Sequence, residues 1–119
     1  MTPQETLTLT RYVKAACPQQ AMDRYTPDAW HDLLGDLLFA DCREAARNVG
    51  KRQPFIAPSE IRAEVREIRA ERVRNAGDLE ARVPRELADK PLEYRDWLQR
   101  TTQAIADGEP AVRAIGGAA

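Results

Sequence analysis

The chain has 119 residues, a net charge of −1 and 31% charged side chains, which suits one domain that buries its core without disulfides or metals. A charge balance this close to neutral argues against a general nucleic-acid coat protein, which is usually basic overall, so any contact with DNA is expected to be local and weak. No apolar run approaches the ~20 residues of a membrane span, and the N-terminus leads into a charged amphipathic pattern rather than a leader. We therefore expect a cytoplasmic protein, without membrane contact, whose cysteines, Cys17 and Cys42, are free thiols.

The first predicted helix covers residues 3–16. Thr2 and Glu5 stand three positions apart at its start, which is the spacing of a capping box. Pro18 lies just beyond its end, and residues 19–25 are expected to form a loop. The residues predicted to face the core from this helix are Leu9, Tyr12, Val13 and Ala16.

The second predicted helix begins at Thr26, which can cap its free N–H groups, and Pro27, which suits the first helical position. Gly35 should weaken its last turn, and His31 is expected at the surface. The core-facing stripe is Trp30, Leu33, Leu34 and Leu37, and the opposite face carries Asp28, Asp32 and Asp36. Carboxylates at this spacing span about 12 Å along a helix, too far to hold one metal ion. We therefore expect an exposed acidic face.

A third helix is predicted from Phe39 to Val49, with Gly50 at its end. Its inward face holds small residues, which would let a neighbouring helix approach closely. Beyond it, Phe55 and Ile56 are predicted to form an apolar plug.

The fourth predicted helix, residues 58–75, combines a narrow apolar stripe with charges that are sorted by sign. The stripe is Ile61, Val65 and Ile68; the arginines beside it, called here the arginine ridge, are Arg62, Arg66, Arg69 and Arg72; the glutamates on the third face are Glu60, Glu64, Glu67 and Glu71. Like charges share a face instead of pairing along the helix. Two interpretations stay open: a solvated face, or a ridge that binds DNA phosphates or an acidic partner.

Asn75 and Gly77 supply a C-terminal cap for this helix. The predicted organisation is a helical bundle domain over residues 1–77, a linker over 78–90, a C-terminal helix over 91–108 and a mobile tail over 109–119. The predicted fold class is all-α, a small bundle of four N-terminal helices plus one C-terminal helix after the linker.

The C-terminal helix carries two aromatic residues, Tyr94 and Trp97, on one stripe with Leu98, Thr101 and Ile105. Two interpretations stay open here as well. The helix packs back onto the bundle, or it exposes Tyr94 and Trp97 as anchors for docking into a groove of a partner.

No set of catalytic residues can be assembled from this sequence. His31 is its one histidine, so neither a Ser-His-Asp nor a Cys-His site can be built, and two cysteines with one distant histidine are too few ligands for zinc. The phosphate-binding loop of nucleotide-driven motors is absent. We expect a protein that is not an enzyme and binds no metal or cofactor.

Residues 26–68 contain the pattern W-x-x-x-L-x-D-L, then a helix of small apolar residues, then P-F-x-A-P-x-E-I-R. This pattern resembles the folded part of the bacteriophage replicative helicase loader/inhibitor family. The resemblance covers about a third of the chain. It implies a small helical adaptor that acts in phage or mobile-element DNA replication in the cytoplasm of a bacterial host. Its N-terminal unit, here residues 1–75, would engage an initiator or loading partner. Its more flexible C-terminal region, here residues 78–119, would engage the replicative helicase.

Two other functions fit the residues without the resemblance. The chain could be a small DNA-binding regulator that uses the arginine ridge, together with Lys51 and Arg52, for phosphate contacts. It could instead be a structural protein that forms a homo-oligomer through the stripe of Tyr94 and Trp97.

Overall fold

The structure is a computed structural model that describes residues 1–116. Over these residues the chain is all-α and contains no strand, which confirms the predicted fold class. Its helices are α1 (Pro3–Ala16), α2 (Thr26–Leu34), α3 (Phe39–Gly50), α4 (Pro58–Asn75), α5 (Pro91–Ala106) and α6 (Ala111–Gly116), with single 3-10 turns at Glu80–Arg82 and Arg85–Leu87. The sequence predicted all of these helices except α6.

Two compact units divide the chain, Met1–Ile68 and Arg69–Ala119, called here unit 1 and unit 2. The division falls within α4 and not at its end. Helix α4 ends at Asn75, as predicted. Gly77, two residues further on, has a φ of +82°, a left-handed conformation that favours glycine and ends the helix.

The start of α1 is a capping box, as predicted. The backbone N–H of Thr2 donates to Glu5 Oε1 at 2.8 Å, and the N–H of Glu5 donates to Thr2 Oγ1 at 3.1 Å. At the other end, Lys14 Nζ donates to the carbonyls of Pro18 and Gln20 at 2.9 and 2.8 Å. The side chain of Lys14 therefore holds the departing chain against the last turn of α1.

Unit 1 has a buried apolar cluster to which α1, α2, α3 and the first turns of α4 contribute. Its members are Leu9, Val13, Cys17, Trp30, Leu34, Cys42, Ala45, Ala46, Val49, Ile56, Ile61 and Val65. Small side chains on the inward face of α3 allow close packing of neighbouring helices. Most of the core predicted for residues 26–68 is therefore confirmed.

Two predicted core residues on α1 and α2 are exposed instead. Leu33 is 52% exposed, because the short α2 turns only the face of Trp30 and Leu34, one helical turn apart, toward the core. Ala16 is exposed and the next residue, Cys17, occupies the buried position. On each of these helices, spacing alone therefore assigned one exposed residue to the buried face.

The predicted plug between α3 and α4 is half correct. Ile56 is buried, whereas Phe55 is 50% exposed. The side chain of Gln20 fixes this choice: its Nε2 donates to the carbonyl of Ile56 at 2.7 Å, and its Oε1 accepts from the N–H of Ile56 at 2.8 Å. Glu60 then accepts from the N–H of Ala57 at 2.9 Å at the start of α4.

Thr26 does not cap α2, contrary to the prediction. The cap position is Tyr25, without a side-chain hydrogen bond, and Thr26 is the first helical residue. Asp23 organises the approach instead, because its Oδ1 accepts from the N–H of Tyr25 at 2.9 Å and from Thr26 Oγ1 at 3.3 Å. This turn engages the Thr26 hydroxyl, which would otherwise be available to cap the helix.

Unit 2 is built around α5. Its buried cluster is Leu79, Ile105 and Ala114, against which Val73, Ala76, Leu98, Ala104, Ala111 and Ile115 pack. The stretch predicted as a linker, residues 78–90, therefore contributes a core residue, Leu79. Two 3-10 turns shorten this stretch, and such turns leave little helical periodicity to detect in the sequence.

The end of α5 lies near Gly108, as predicted, and it forms a complete Schellman motif. The N–H of Gly108 donates to the carbonyl of Ile105, and the N–H of Glu109 to that of Ala104, both at 3.0 Å. Gly108 has a φ of +98°. The motif reverses the chain into α6.

Residues 111–116 of the predicted mobile tail form α6, a helix that the sequence did not predict, and bury Ala114. A helix of small residues has a weak sequence signal, and its packing against α5 stabilises it. Residues 117–119, the rest of that predicted tail, lie outside the described residues.

Candidate partner-binding surfaces

Arg62 of the predicted arginine ridge is engaged within unit 1. Its guanidinium donates to both carboxylate oxygens of Asp36, at 2.5 and 3.2 Å, and to the carbonyl of Leu33 at 3.2 Å. A bidentate arginine–carboxylate pair is stronger and more directional than an ion pair with a single hydrogen bond. Arg62 therefore fastens α4 to the end of α2, and Asp36 belongs to this contact rather than to a free acidic face.

Arg69 and Arg72 are engaged within unit 2. Arg69 Nη2 lies 2.7 Å from Asp107 Oδ1, and Arg72 Nη1 donates to the carbonyl of Ala106 at 2.9 Å. Both acceptors lie at the C-terminal end of α5, where unpaired carbonyls and the helix dipole attract cations. The two arginines thus hold the last turn of α5.

Arg66 differs from the other residues of the ridge. It is exposed, and its guanidinium makes no hydrogen bond or ion pair with another residue of the described range. The structure therefore divides the ridge: Arg62, Arg69 and Arg72 make intramolecular contacts, and Arg66 faces solvent. The partner-binding role assigned to these four arginines stays a prediction.

The aromatic stripe of α5 points inward. Trp97 is 8% exposed, Thr101 and Ile105 are buried, and Tyr94 is half-buried. Trp97 is therefore unavailable as a surface anchor while unit 2 is folded. The exposed apolar residue at this end of α5 is Leu92, which the stripe did not include and which is 79% exposed.

Large apolar side chains at the surface are the candidates that the sequence patterns missed. They are Tyr25, Leu33, Leu38 and Phe55 on unit 1, and Leu92 and Val112 on unit 2. Exposed apolar side chains are places where a partner can gain free energy by burying them. Sequence periodicity assigned two of them, Leu33 and Phe55, to the core, and could not separate them from their buried neighbours.

A cleft of about 390 Å³ lies in unit 1 between one face of α1 and the chain that enters α2. Its apolar lining comes from Leu7, Met22 and Pro27, and its cations are Arg11, Lys14 and Arg24. We call it the basic cleft. Its volume is within the range of small-molecule and side-chain pockets.

The cations of the basic cleft differ in their contacts. Lys14 is held by carbonyls, as described above. Arg24 lies over the ring of Tyr25, 4.8 Å from its centroid, and donates to the Tyr25 hydroxyl at 2.6 Å. Arg11 is exposed and makes no side-chain hydrogen bond, ion pair or ring contact with another described residue. Asp23, the carboxylate of the lining, uses one oxygen in the turn before α2.

The thiols and the histidine have structural surroundings. Cys17 and Cys42 are free thiols, as predicted, and both are buried. Burial, with a smaller contribution from the neighbouring Asp41, raises the pKa of the Cys42 thiol to about 11, and a protonated thiol is a poor nucleophile or metal ligand. His31 is half-buried rather than at the surface, and its Nδ1 lies 2.8 Å from the hydroxyl of Thr6.

Within residues 1–116 no group of three or more His, Cys, Asp or Glu side chains is placed to hold a metal ion. Over the same range, none of the helices has the length and apolar character needed to cross a membrane.

Comparison with protein-family models, with curated proteins and with solved structures gives no match for this chain.

Proposed function

We propose that this chain is a non-enzymatic adaptor in phage or mobile-element DNA replication, which binds the replicative helicase, its loading partner, or both. The pattern in residues 26–68 motivates the replication context, since it resembles the helicase loader/inhibitor family. The role, loading or inhibition, depends on which state of the helicase the adaptor stabilises.

One observation carries the adaptor part of the proposal. Each of the two compact units has its own buried apolar cluster and its own exposed large apolar residues. An adaptor must present two surfaces, and units with separate cores can bind separate partners without one contact disturbing the other. The folded unit 2 is a departure from a flexible helicase-binding tail, so the surface of α5 and α6 would make that contact.

The DNA-binding alternative has less support. Phosphate binding needs cations that are free to contact the backbone, and Arg62, Arg69 and Arg72 make intramolecular contacts instead. Self-association through Tyr94 and Trp97 also has less support, because Trp97 is buried in the folded chain.

The test is capture from a bacterial host lysate on the immobilised whole chain, with captured proteins identified by mass spectrometry and each contact repeated with purified proteins. We expect the replicative helicase or an initiator of replication among the specific partners. Capture of neither, or binding only to DNA or to itself, would overturn the proposal.

Two matched variants separate the surfaces. Phe55→Ser changes an exposed residue of unit 1, and Leu92→Ser changes one of unit 2; both should fold normally because surface substitutions have small effects on stability. We expect each variant to weaken the binding of one partner only. Gln19→Ser, at another exposed position, is the control that should retain both.

A further inference from the structure

We propose that the basic cleft of unit 1 binds a segment of a partner protein in which acidic side chains flank one or two large apolar side chains. This inference rests on the proposed function only in taking the occupant to be a protein. The chemistry of the cleft does not depend on whether that partner belongs to replication.

The apolar lining determines the centre of the occupant. Leu7, Met22 and Pro27 are each half-buried, so the cleft leaves part of their surface open to solvent. An aliphatic or aromatic side chain that enters a cleft of about 390 Å³ would remove that surface from water, which is the main source of affinity at such contacts. A purely ionic ligand would gain nothing from these residues.

The charges around the cleft determine what flanks that side chain. Arg11, Lys14 and Arg24 line it together with one carboxylate, Asp23, so the lining has an excess of positive charge. Part of the Asp23 carboxylate is already used by the turn before α2. Charge complementarity therefore favours an acidic occupant and disfavours a basic one.

Arg11 and Arg24 are the residues expected to contact the occupant. Arg11 has no hydrogen-bond or ion-pair partner for its side chain among the described residues, so binding an anion breaks no existing bond of that kind. Arg24 is exposed and stacked on Tyr25. Its guanidinium is therefore already restricted and loses less conformational entropy on binding. Lys14 supplies charge, but its Nζ already holds two carbonyls, so it is not a residue to vary in a test.

A protein segment fits better than a nucleic acid. Single-stranded nucleic acid is bound by grooves that combine cations with aromatic stacking platforms. Here the cleft lining includes no aromatic ring among its residues, and one face of the nearby Tyr25 is covered by Arg24. Aliphatic lining with cations beside it matches an acidic, apolar peptide.

The test is titration of the ¹⁵N-labelled whole chain with the end-capped peptide DEDLFED to millimolar concentration, followed by amide chemical shifts. We expect saturable changes confined to the residues around the cleft, roughly 7–27. The peptide DEDSSED, which keeps the charges and lacks the apolar pair, should bind at least about tenfold more weakly.

Paired variants test the residue assignment. Arg11→Glu combined with Arg24→Glu should weaken DEDLFED binding at least about tenfold. Arg47→Glu combined with Lys51→Glu changes two exposed cations that do not line the cleft, so it makes the same change in net charge and should leave binding within about twofold. Arg11→Gln alone should give an intermediate loss, and a ¹⁵N spectrum that overlays on that of the parent chain shows that it remains folded.

Several results would overturn the inference: no saturable change with DEDLFED, changes located elsewhere, equal binding of DEDSSED, or equal losses in the two double variants. Tighter binding of a short oligothymidylate at the same residues would assign the cleft to nucleic acid. Shift changes on concentrating the chain without peptide would assign it to a second copy. If DEDLFED binds but lysate capture yields no replication protein, the cleft assignment stands and the proposed function falls.

Discussion

At the scale of single residues, Trp30 and Leu33 should respond very differently to truncation, although they lie three positions apart on α2. Trp30 is buried in the cluster of unit 1, and Leu33 is half-exposed. We expect Trp30→Ala to cost about 3–5 kcal/mol of unfolding free energy, because it empties an aromatic core site. Leu33→Ala should cost less than about 0.5 kcal/mol. Urea unfolding of both variants checks this, and similar losses would mean that the inward face of α2 is misplaced.

Cys42 gives the protein a pH dependence at the alkaline end. Burial raises the pKa of its thiol from 9.0 to about 11, so the folded chain holds the proton more tightly than the unfolded chain does. The stability that this provides is complete below about pH 9 and is lost as the pH rises toward 11. We therefore expect the unfolding free energy of the parent chain to fall more steeply between about pH 9 and pH 11 than that of Cys42→Ala. Parallel curves for the two proteins would contradict the assignment.

At the scale of elements, the sequence predicted what local chemistry determines. Helix ends were predicted correctly where they depend on residues a few positions apart. Examples are the capping box of Thr2 and Glu5 at the start of α1 and the glycines that follow α4 and α5. Leu79 was missed because it packs with Ile105 of α5, which is distant in sequence. The short α6 was missed because its order depends on packing against α5 and not on its own helix propensity.

The arginine ridge shows the same limit for the candidate site. Its charges are sorted by sign because the acceptors of Arg62 and Arg69 are Asp36 and Asp107, which lie far away along the chain. Periodicity could place the arginines on a face, but only the fold shows which of them are already paired. The basic cleft was missed for the same reason, because residues of α1 and of the loop before α2 line it together.

Arg72 and Arg66, both on α4, allow a test of the difference between an arginine with an intramolecular contact and one that faces solvent. Arg72→Ala should destabilise the chain by about 1–2 kcal/mol, because it removes a charged donor from the half-buried carbonyl of Ala106 at the end of α5. Arg66→Ala removes an exposed side chain of the same type and should be neutral within about 0.5 kcal/mol. Amide hydrogen exchange should show faster opening of α5 in Arg72→Ala alone. Equal effects of the two substitutions would mean that the arginines act as one surface.

At the scale of the whole molecule, the two units imply a division of stability. Unit 1 and unit 2 bury separate apolar clusters, and α4 contributes its early residues to the first and Val73 to the second. The larger cluster belongs to unit 1, which also holds the bonds of Gln20 to Ile56 and of Arg62 to Asp36. Unit 1 is therefore expected to be the part that folds without the other.

A fragment of residues 1–77 tests this expectation. It keeps the whole cluster of unit 1 and removes α5 and α6, so it should remain helical and melt cooperatively in circular dichroism. The turns of α4 beyond Ile68 lose their unit 2 partners and should exchange their amide hydrogens rapidly, while those before Ile68 stay protected. Peptide DEDLFED should still bind, since the basic cleft lies within the fragment, whereas any partner that needs Leu92 should be lost. A fragment that aggregates or melts without cooperativity would show that the cluster of unit 1 is insufficient by itself. A fragment that keeps every partner would show that unit 2 is not a binding surface.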